Sequence, residues 1–170
     1  MPIIANTTVI SNFAHVGQLE CLPRLWRQLY ISDKVFDEIQ AGLLQGYTFY
    51  TGIEQHIFPF SQTGWLHLTA CNTPEEFRTF GQLLTTLHSG EASCLAIAAH
   101  RQLTFLSDDK AARKTSQTLK VPLSGTLGIL LALVKQGHLP LSEADTILQQ
   151  MIQAGYRSPI VSLADILKEC

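Results

Sequence analysis

One local pattern recurs along this chain: a short apolar run, a polar residue at its end, then a segment with apolar residues at helical spacing. Pro2–Ala5 leads into Asn6-Thr7-Thr8 and a helix with Val9, Ile10, Phe13 and Val16 on one face, stopped at Gly17. Leu29–Ser32 leads into DKVFDEIQAGLL, with Ser32 as cap, Val35, Ile39 and Leu43 on one stripe, and Glu38 beside it. Trp65–Thr69 precedes TPEEFRTFGQLLTTL, opened by Thr73 with Pro74 in its first turn. Leu103–Leu106 stops at Asp108-Asp109 and is followed by a helix from Lys110 to Leu119, and Val121–Leu123 is a fifth run. Apolar runs of this length suit strands buried on both faces. Their alternation with helices predicts an α/β fold: a central parallel sheet of about five short strands with helices on both sides.

The remaining segments fit around that frame. Gly90-Glu91 opens the helix EASCLAIAAHRQ. Residues 47–64 are irregular and aromatic (Tyr47, Phe49, Tyr50, Phe58, Phe60) and read as an insertion packed by its own side chains. The tail predicts three further helices, GTLGILLALVKQG, SEADTILQQMIQAGY and SLADILKEC, with Ser124 and Ser142 as N-caps and Asp145 three residues after the second. No repeat, low-complexity tract or linker interrupts the 170 residues, so a single domain is expected, with residues 125–170 as C-terminal helices.

Composition narrows the function classes. Hydrophobic residues make up 46% and charged residues 15%, which supplies a core and argues against disorder. A net charge of -2 excludes a broad electrostatic grip on nucleic acid and leaves room only for local contact. The cysteines Cys21, Cys71, Cys94 and Cys170 form no CxxC pair, and no HExxH occurs, so no zinc site is visible. MPIIANTTVISNF lacks the basic and apolar regions of a signal peptide, and no apolar run is long enough to span a bilayer. A cytoplasmic protein with reduced thiols and no membrane association is expected.

The acidic positions carry the chemistry. Asn6, Glu38, Glu91, Asp108 and Asp109 each have a plain explanation, as helix caps, first-turn anions or solvated surface. Together they are harder to explain so, because Glu91, Asp108 and Asp109 fall at junctions that a parallel α/β fold gathers beyond the carboxyl ends of its strands. Two carboxylates about 4 Å apart repel by roughly 4 kcal/mol at an effective dielectric of about 20, and a divalent cation removes that penalty. Oxygen donors without Cys or His favour Mg²⁺ or Mn²⁺. Lys110, Arg113 and Lys114 share one face of the following helix and could hold a phosphate backbone.

The ordered set ANTTVIS, VFDEI, GEASCLAIA and LSDDKAAR resembles the PIN domain of metal-dependent nucleases. SGTLGILLALVKQGHL resembles the C-terminal part of a PIN-like prokaryotic subgroup, so the resemblance runs from Ile3 to about Ile166. It implies a three-layer α/β/α fold with an acidic pocket at one sheet edge, and cleavage of single-stranded RNA with Mg²⁺ or Mn²⁺. It also implies, for many VapC-like members, a toxin held by a small antitoxin. By position, Glu38 matches the second family acid, Glu91 the third, and Asp109 the fourth, with Asp108 beside it and able to exchange with it by one residue of slip. Thr8 matches a hydroxyl near the metal, and Arg113 a phosphate contact.

The chain departs from the pattern at Asn6, where the family places its first acid. An amide offers a carbonyl oxygen but no charge, and it cannot act as a base. Two functions therefore stand open: a PIN-type endoribonuclease, or an impaired module that uses the same cleft to hold RNA or a protein. LGILLALV carries more apolar residues than one buried stripe needs, which fits either a homodimer interface or a helix buried within the chain.

Overall fold

The computed structural model describes residues 1–168. Its strands are β1 (Ile3–Ala5), β2 (Leu29–Ser32), β3 (Ile57–Phe58), β4 (Leu66–Thr69), β5 (Thr104–Leu106) and β6 (Leu123–Ser124). The helices are α1 (Thr7–His15), α2 (Leu22–Leu25), α3 (Asp33–Leu44), α4 (Pro74–Leu83), α5 (Ser89–Arg101), α6 (Lys110–Thr118), α7 (Thr126–Lys135), α8 (Leu141–Gln153) and α9 (Ala164–Leu167). The sheet runs in the order β3-β4-β2-β1-β5-β6, and every neighbouring pair is parallel.

The three-layer α/β/α architecture follows from burial at the sheet's centre. Successive residues of a strand point to opposite faces, yet Ile3, Ile4 and Ala5 are all buried. Both faces of β1 are therefore covered, as a parallel sheet requires. α5 packs against β1, β2 and β5, with α4 and α6 beside it. α1 packs against α3 and α8, and α7 against α2 and α8. Phe13, Phe105, Ile10, Ile31 and Leu95 are among the largest fully buried side chains, each worth roughly 1.5–3 kcal/mol of transfer free energy.

Local chemistry sets most helix starts. The Ser32 hydroxyl accepts from the Val35 amide at 3.1 Å and opens α3 as expected. Thr73 does the same for α4, accepting from the Glu76 amide at 3.2 Å with Pro74 in the first turn. Ser142 does not cap α8, which begins a residue earlier behind Pro140. Its expected companion Asp145 accepts instead from the Leu163 amide at 2.7 Å and the Ser162 hydroxyl at 2.8 Å, tying α8 to the chain ahead of α9. Ser124 ends β6, and α7 starts after Gly125 without a side-chain cap of its own. The last expected helix is realised only over Ala164–Leu167, and its Glu169 and Cys170 lie outside the described residues.

Residues 47–64 differ from the expectation of an irregular insertion. They hold two short 3₁₀ turns and the edge strand β3, which raises the sheet from five strands to six. A two-residue strand is too short to show a period in sequence. The apolar excess of α7 is largely spent inside the chain, since Ile129, Leu130 and Leu133 are buried and Leu127, Leu131 and Val134 pack against the core. Among the described residues, no helix is long and apolar enough to cross a membrane.

An ion pair that the sequence did not signal fastens the far side of the sheet. Arg101 donates to both oxygens of the buried Glu76 carboxylate, at 2.7 Å from Nε and 2.9 Å from Nη2. It also reaches the Thr69 hydroxyl and the Ala70 carbonyl, at 2.8 and 2.7 Å. The guanidinium holds the Glu76 pKa below the usual carboxylate range, with the backbone amide of Asn72 assisting. Removing Arg101 strands a carboxylate that is 1% exposed, and Arg101→Ala is expected to cost about 3 kcal/mol in urea denaturation. Glu76 binds its proton more weakly when folded, so its contribution is full above about pH 4.3 and is lost as pH falls through the folded value. Arg101→Ala should therefore also flatten the acid limb of the stability curve.

Candidate active site

β1 lies between β2 and β5, so the chain leaves β1 toward one side of the sheet and later enters the other. The connections diverge beyond the carboxyl end of β1, which is where such a sheet opens a cleft. Asn6, Ser32 and Ser107 follow or end the three adjacent strands at that point.

Asn6 is 1% exposed and its side chain is fully engaged. Its Oδ1 accepts from the Thr8 amide at 3.1 Å, the Val9 amide at 3.4 Å and the Thr8 hydroxyl at 2.7 Å, which caps α1. Its Nδ2 donates to the Ser107 hydroxyl at 2.8 Å, joining the ends of β1 and β5. Thr8, expected beside a metal, bridges the same two ends, because its Oγ1 also accepts from the Asp108 amide at 3.2 Å.

Glu38 reaches the cleft from the second turn of α3. The Thr7 hydroxyl donates to its Oε2, and the Gly90 amide donates to its Oε1 at 2.9 Å. A Cβ at residue 90 would lie 2.6 Å from each Glu38 oxygen, so only glycine lets α5 approach this closely. One residue on, Glu91 accepts from the His88 amide at 3.3 Å and closes the first turn of α5. Burial raises the Glu91 pKa first, the charge of Asp109 raises it further, and Glu38 adds a smaller push. Carboxylates from α3, α5 and the α6 cap thus act on one another across the cleft.

The adjacent aspartates take different roles. Asp109 caps α6, its Oδ1 accepting from the Ala112 amide at 2.8 Å, while its own amide donates to the Ser107 hydroxyl at 3.1 Å. Asp108 turns the other way, into a cage of donors. Its Oδ1 accepts from the Thr126 amide at 2.9 Å, and its Oδ2 from the Thr126 hydroxyl at 2.5 Å and Asn12 Nδ2 at 3.0 Å. The Tyr156 hydroxyl stands 3.5 Å from Oδ1. Asp108 supplies from 18 residues away the side-chain cap that α7 lacks locally, and a Cβ at residue 125 would lie 2.5 Å from its Oδ1.

The structure thus brings together Glu38, Glu91 and Asp109, and it commits Asn6 and Asp108 to hydrogen bonds. Lys110, Arg113 and Lys114 are exposed on α6, and among the described residues none of them pairs with an acid. Thr7, Gly90, Asn12, Thr126 and Tyr156 were not singled out by sequence reasoning. Asn12 follows Thr8 by four residues and so shares its helix face, which is a usable signal. Thr126 and Tyr156 meet Asp108 from 18 and 48 residues away and leave none.

Among the described residues, no three His, Cys, Asp or Glu side chains are grouped to hold a metal ion. Glu38, Glu91 and Asp109 are each turned toward a nearby donor, as carboxylates that repel one another should be. Their chemistry nonetheless suits a hard divalent cation: all the donors are oxygens, and the second oxygens of Glu91 and Asp109 accept no hydrogen bond among the described residues.

The family model described as DUF3368: PIN domain matches residues 2–170. Among curated proteins, no sequence matches the chain. Among solved structures, the chain is similar to one in the crystal structure of VapBC2 from Rickettsia felis bound to a DNA fragment from their promoter. That likeness has 15% identity and a TM-score of 0.50, and it covers 74% of this chain and 98% of that one. At such identity it speaks for the fold.

The tight approach of α5 to Glu38 gives a direct test. Gly90→Ala is expected to destabilise the chain by about 1–3 kcal/mol by driving the carboxylate off the Gly90 amide. In a double-mutant cycle with Glu38→Ala most of that cost should vanish, because the atoms it clashes with are gone.

Proposed function

Since the chain belongs to the PIN-domain family, we propose that it is a metal-dependent endoribonuclease that cuts single-stranded RNA at the carboxyl edge of its sheet. The observation that carries this reading is where the acids stand: Glu38, Glu91 and Asp109 enter from α3, α5 and the cap of α6 beyond the carboxyl ends of the central strands, with Glu38 seated on the Gly90 amide and the Asp109 amide tied to Ser107. Burial, and then the charge of Asp109, raise the Glu91 pKa, an electrostatic cost that a cation would relieve.

In this reading Glu91 and Asp109 hold Mg²⁺ or Mn²⁺, with Glu38 beside them. The ion supplies charge neutralisation at the phosphoryl group and lowers the pKa of an attacking water. Thr7 and Gly90 fix the Glu38 carboxylate, and the N-terminal turn of α6 orients Asp109. Lys110, Arg113 and Lys114 offer cations to the RNA backbone from the adjoining face of α6. Asn6 maintains the cap of α1 and the link to Ser107, and it brings no charge. A small antitoxin-like partner belongs to the same proposal, on the strength of the VapBC2 likeness, and a homodimer on the strength of the family resemblance alone.

One feature favours a second reading. The Asn6 oxygen already accepts three hydrogen bonds, so the place of the first family acid offers neither charge nor a free lone pair directed at the cleft. A module that binds RNA or a protein without cutting is the alternative.

Labelled single-stranded RNA with Mn²⁺ separates the two. Asp109→Asn and Glu91→Gln are expected to lower cleavage by about 100-fold or more, and chelation to abolish it. Asn6→Asp is isosteric, and the Ser107 hydroxyl can turn its proton toward the new oxygen, so this variant should fold normally. It should bind Mn²⁺ more tightly in calorimetry and cut faster. Absence of cleavage by every variant, with RNA binding intact, would establish the non-catalytic reading.

A further inference from the structure

The groove beside the acids is closed by a segment that the nuclease reading leaves without a task. A cavity of about 280 Å³ is lined by Thr8, Asn12, Asp108, Asp109, Tyr156 and Arg157. One wall is α1; the other is the chain just after α8, where Gly155 adopts a left-handed φ of 110° and turns the backbone back toward the cleft. The Tyr156 amide secures that turn by donating to the Met151 carbonyl at 2.9 Å, and its hydroxyl reaches Asp108. The backbone bond fixes Tyr156, its hydroxyl stands 3.5 Å from Asp108, and the residue after it lies at the rim of the cavity.

Arg157 is exposed there and, among the described residues, forms no ion pair. Asp108 and Asp109 line the cavity toward the acid cluster, and Arg157 stands at its rim beside Tyr156 as the one cation of its lining among the described residues. A guanidinium beside an aromatic wall matches the phosphate and base of a nucleotide. The neighbouring acid cluster, once it holds a cation, would meet the next phosphate along the strand.

We propose that this cavity is a nucleotide subsite for single-stranded RNA, in which Arg157 takes the phosphate and Tyr156 forms the wall. It rests on the nuclease reading for its position next to the scissile bond, but not for its ability to bind. Asp108 is then a positioning residue: it ties Tyr156, the start of α7 and α1 into one rigid wall and leaves Asp109 to the acid cluster.

The test uses the full chain and a labelled single-stranded oligoribonucleotide in EDTA, so that binding is read apart from cleavage. Arg157→Glu should weaken binding at least tenfold, Arg157→Lys should recover much of it, and Lys135→Glu, at the end of α7, should leave it unchanged. The slope of log affinity against log salt should fall by about 0.7 in Arg157→Ala, the value for one phosphate contact on a single strand. Thermal unfolding checks that these exposed substitutions leave the fold intact. Unchanged affinity and slope in the Arg157 variants, or a wild-type chain that does not bind the strand, overturn the proposal. If wild type fails to cut with Mn²⁺ while Arg157→Glu still loses binding, the subsite stands and the nuclease reading falls. If wild type cuts and Arg157→Glu cuts with unchanged KM, the nuclease reading stands and the subsite falls.

Discussion

The hydrogen bond from the Asn6 amide to the Ser107 hydroxyl spans 101 residues of sequence and fixes the ends of two adjacent strands to each other. Everything at the cleft is arranged around it. Asn6 uses its oxygen to start α1, and Ser107 accepts the Asp109 amide that starts α6. Two helices that leave the sheet in different connections are thereby set from one buried contact. Both partners are almost wholly shielded from water, at 1% and 0% exposure, where a hydrogen bond is electrostatically stronger and an unmade one costs more. Helix starts carry unpaired amides, and the Asn6 oxygen and Ser107 hydroxyl take those of Thr8, Val9 and Asp109.

The acids are held by backbone rather than by cations. Glu38 rests on the Gly90 amide, Glu91 on the His88 amide, Asp109 on the Ala112 amide, and Asp108 on the Thr126 amide. All four of these amides lie in the cap or first turn of a helix, where the dipole also favours negative charge. That arrangement lets carboxylates accumulate with no ordered cation nearby, and it explains why the lysines and arginine of α6 remain exposed. Burial raises the Glu91 pKa, and the charge of Asp109 raises it further.

The strand runs, the helix stripes and the caps Asn6, Ser32, Thr73 and Asp109 were legible in the sequence because each depends on residues within four positions. Ser124 and Ser142 misled for the same reason: local propensity offered a cap, but the amide at the start of α7 was taken by Asp108 from β5, and Asp145 found its partners beyond α8. The candidate site divides along the same line. Glu91, Asp108 and Asp109 were expected at one edge from their junction positions, whereas Glu38 joined them only through the family resemblance. The opposite orientations of Asp108 and Asp109 could not be inferred, since they arise from Thr126, Asn12 and Tyr156, which the tertiary fold brings to one aspartate and not the other.

Asn6 can be understood from the same balance. As an N-cap, Asn and Asp are nearly equivalent, so the demands of α1 do not choose between them. Their difference is charge. An aspartate at residue 6 would be 1% exposed in the present packing and would join a cleft where burial, then the charges of Asp109 and Glu38, already raise the Glu91 pKa. In the metal-free chain a fourth carboxylate adds repulsion without adding a hydrogen bond, because the amide already fills every contact available there. An amide therefore favours the empty fold, whereas a carboxylate would favour a cation-loaded one. The residue that departs from the family pattern is the one at which stability of the chain by itself and affinity for a divalent ion pull in opposite directions.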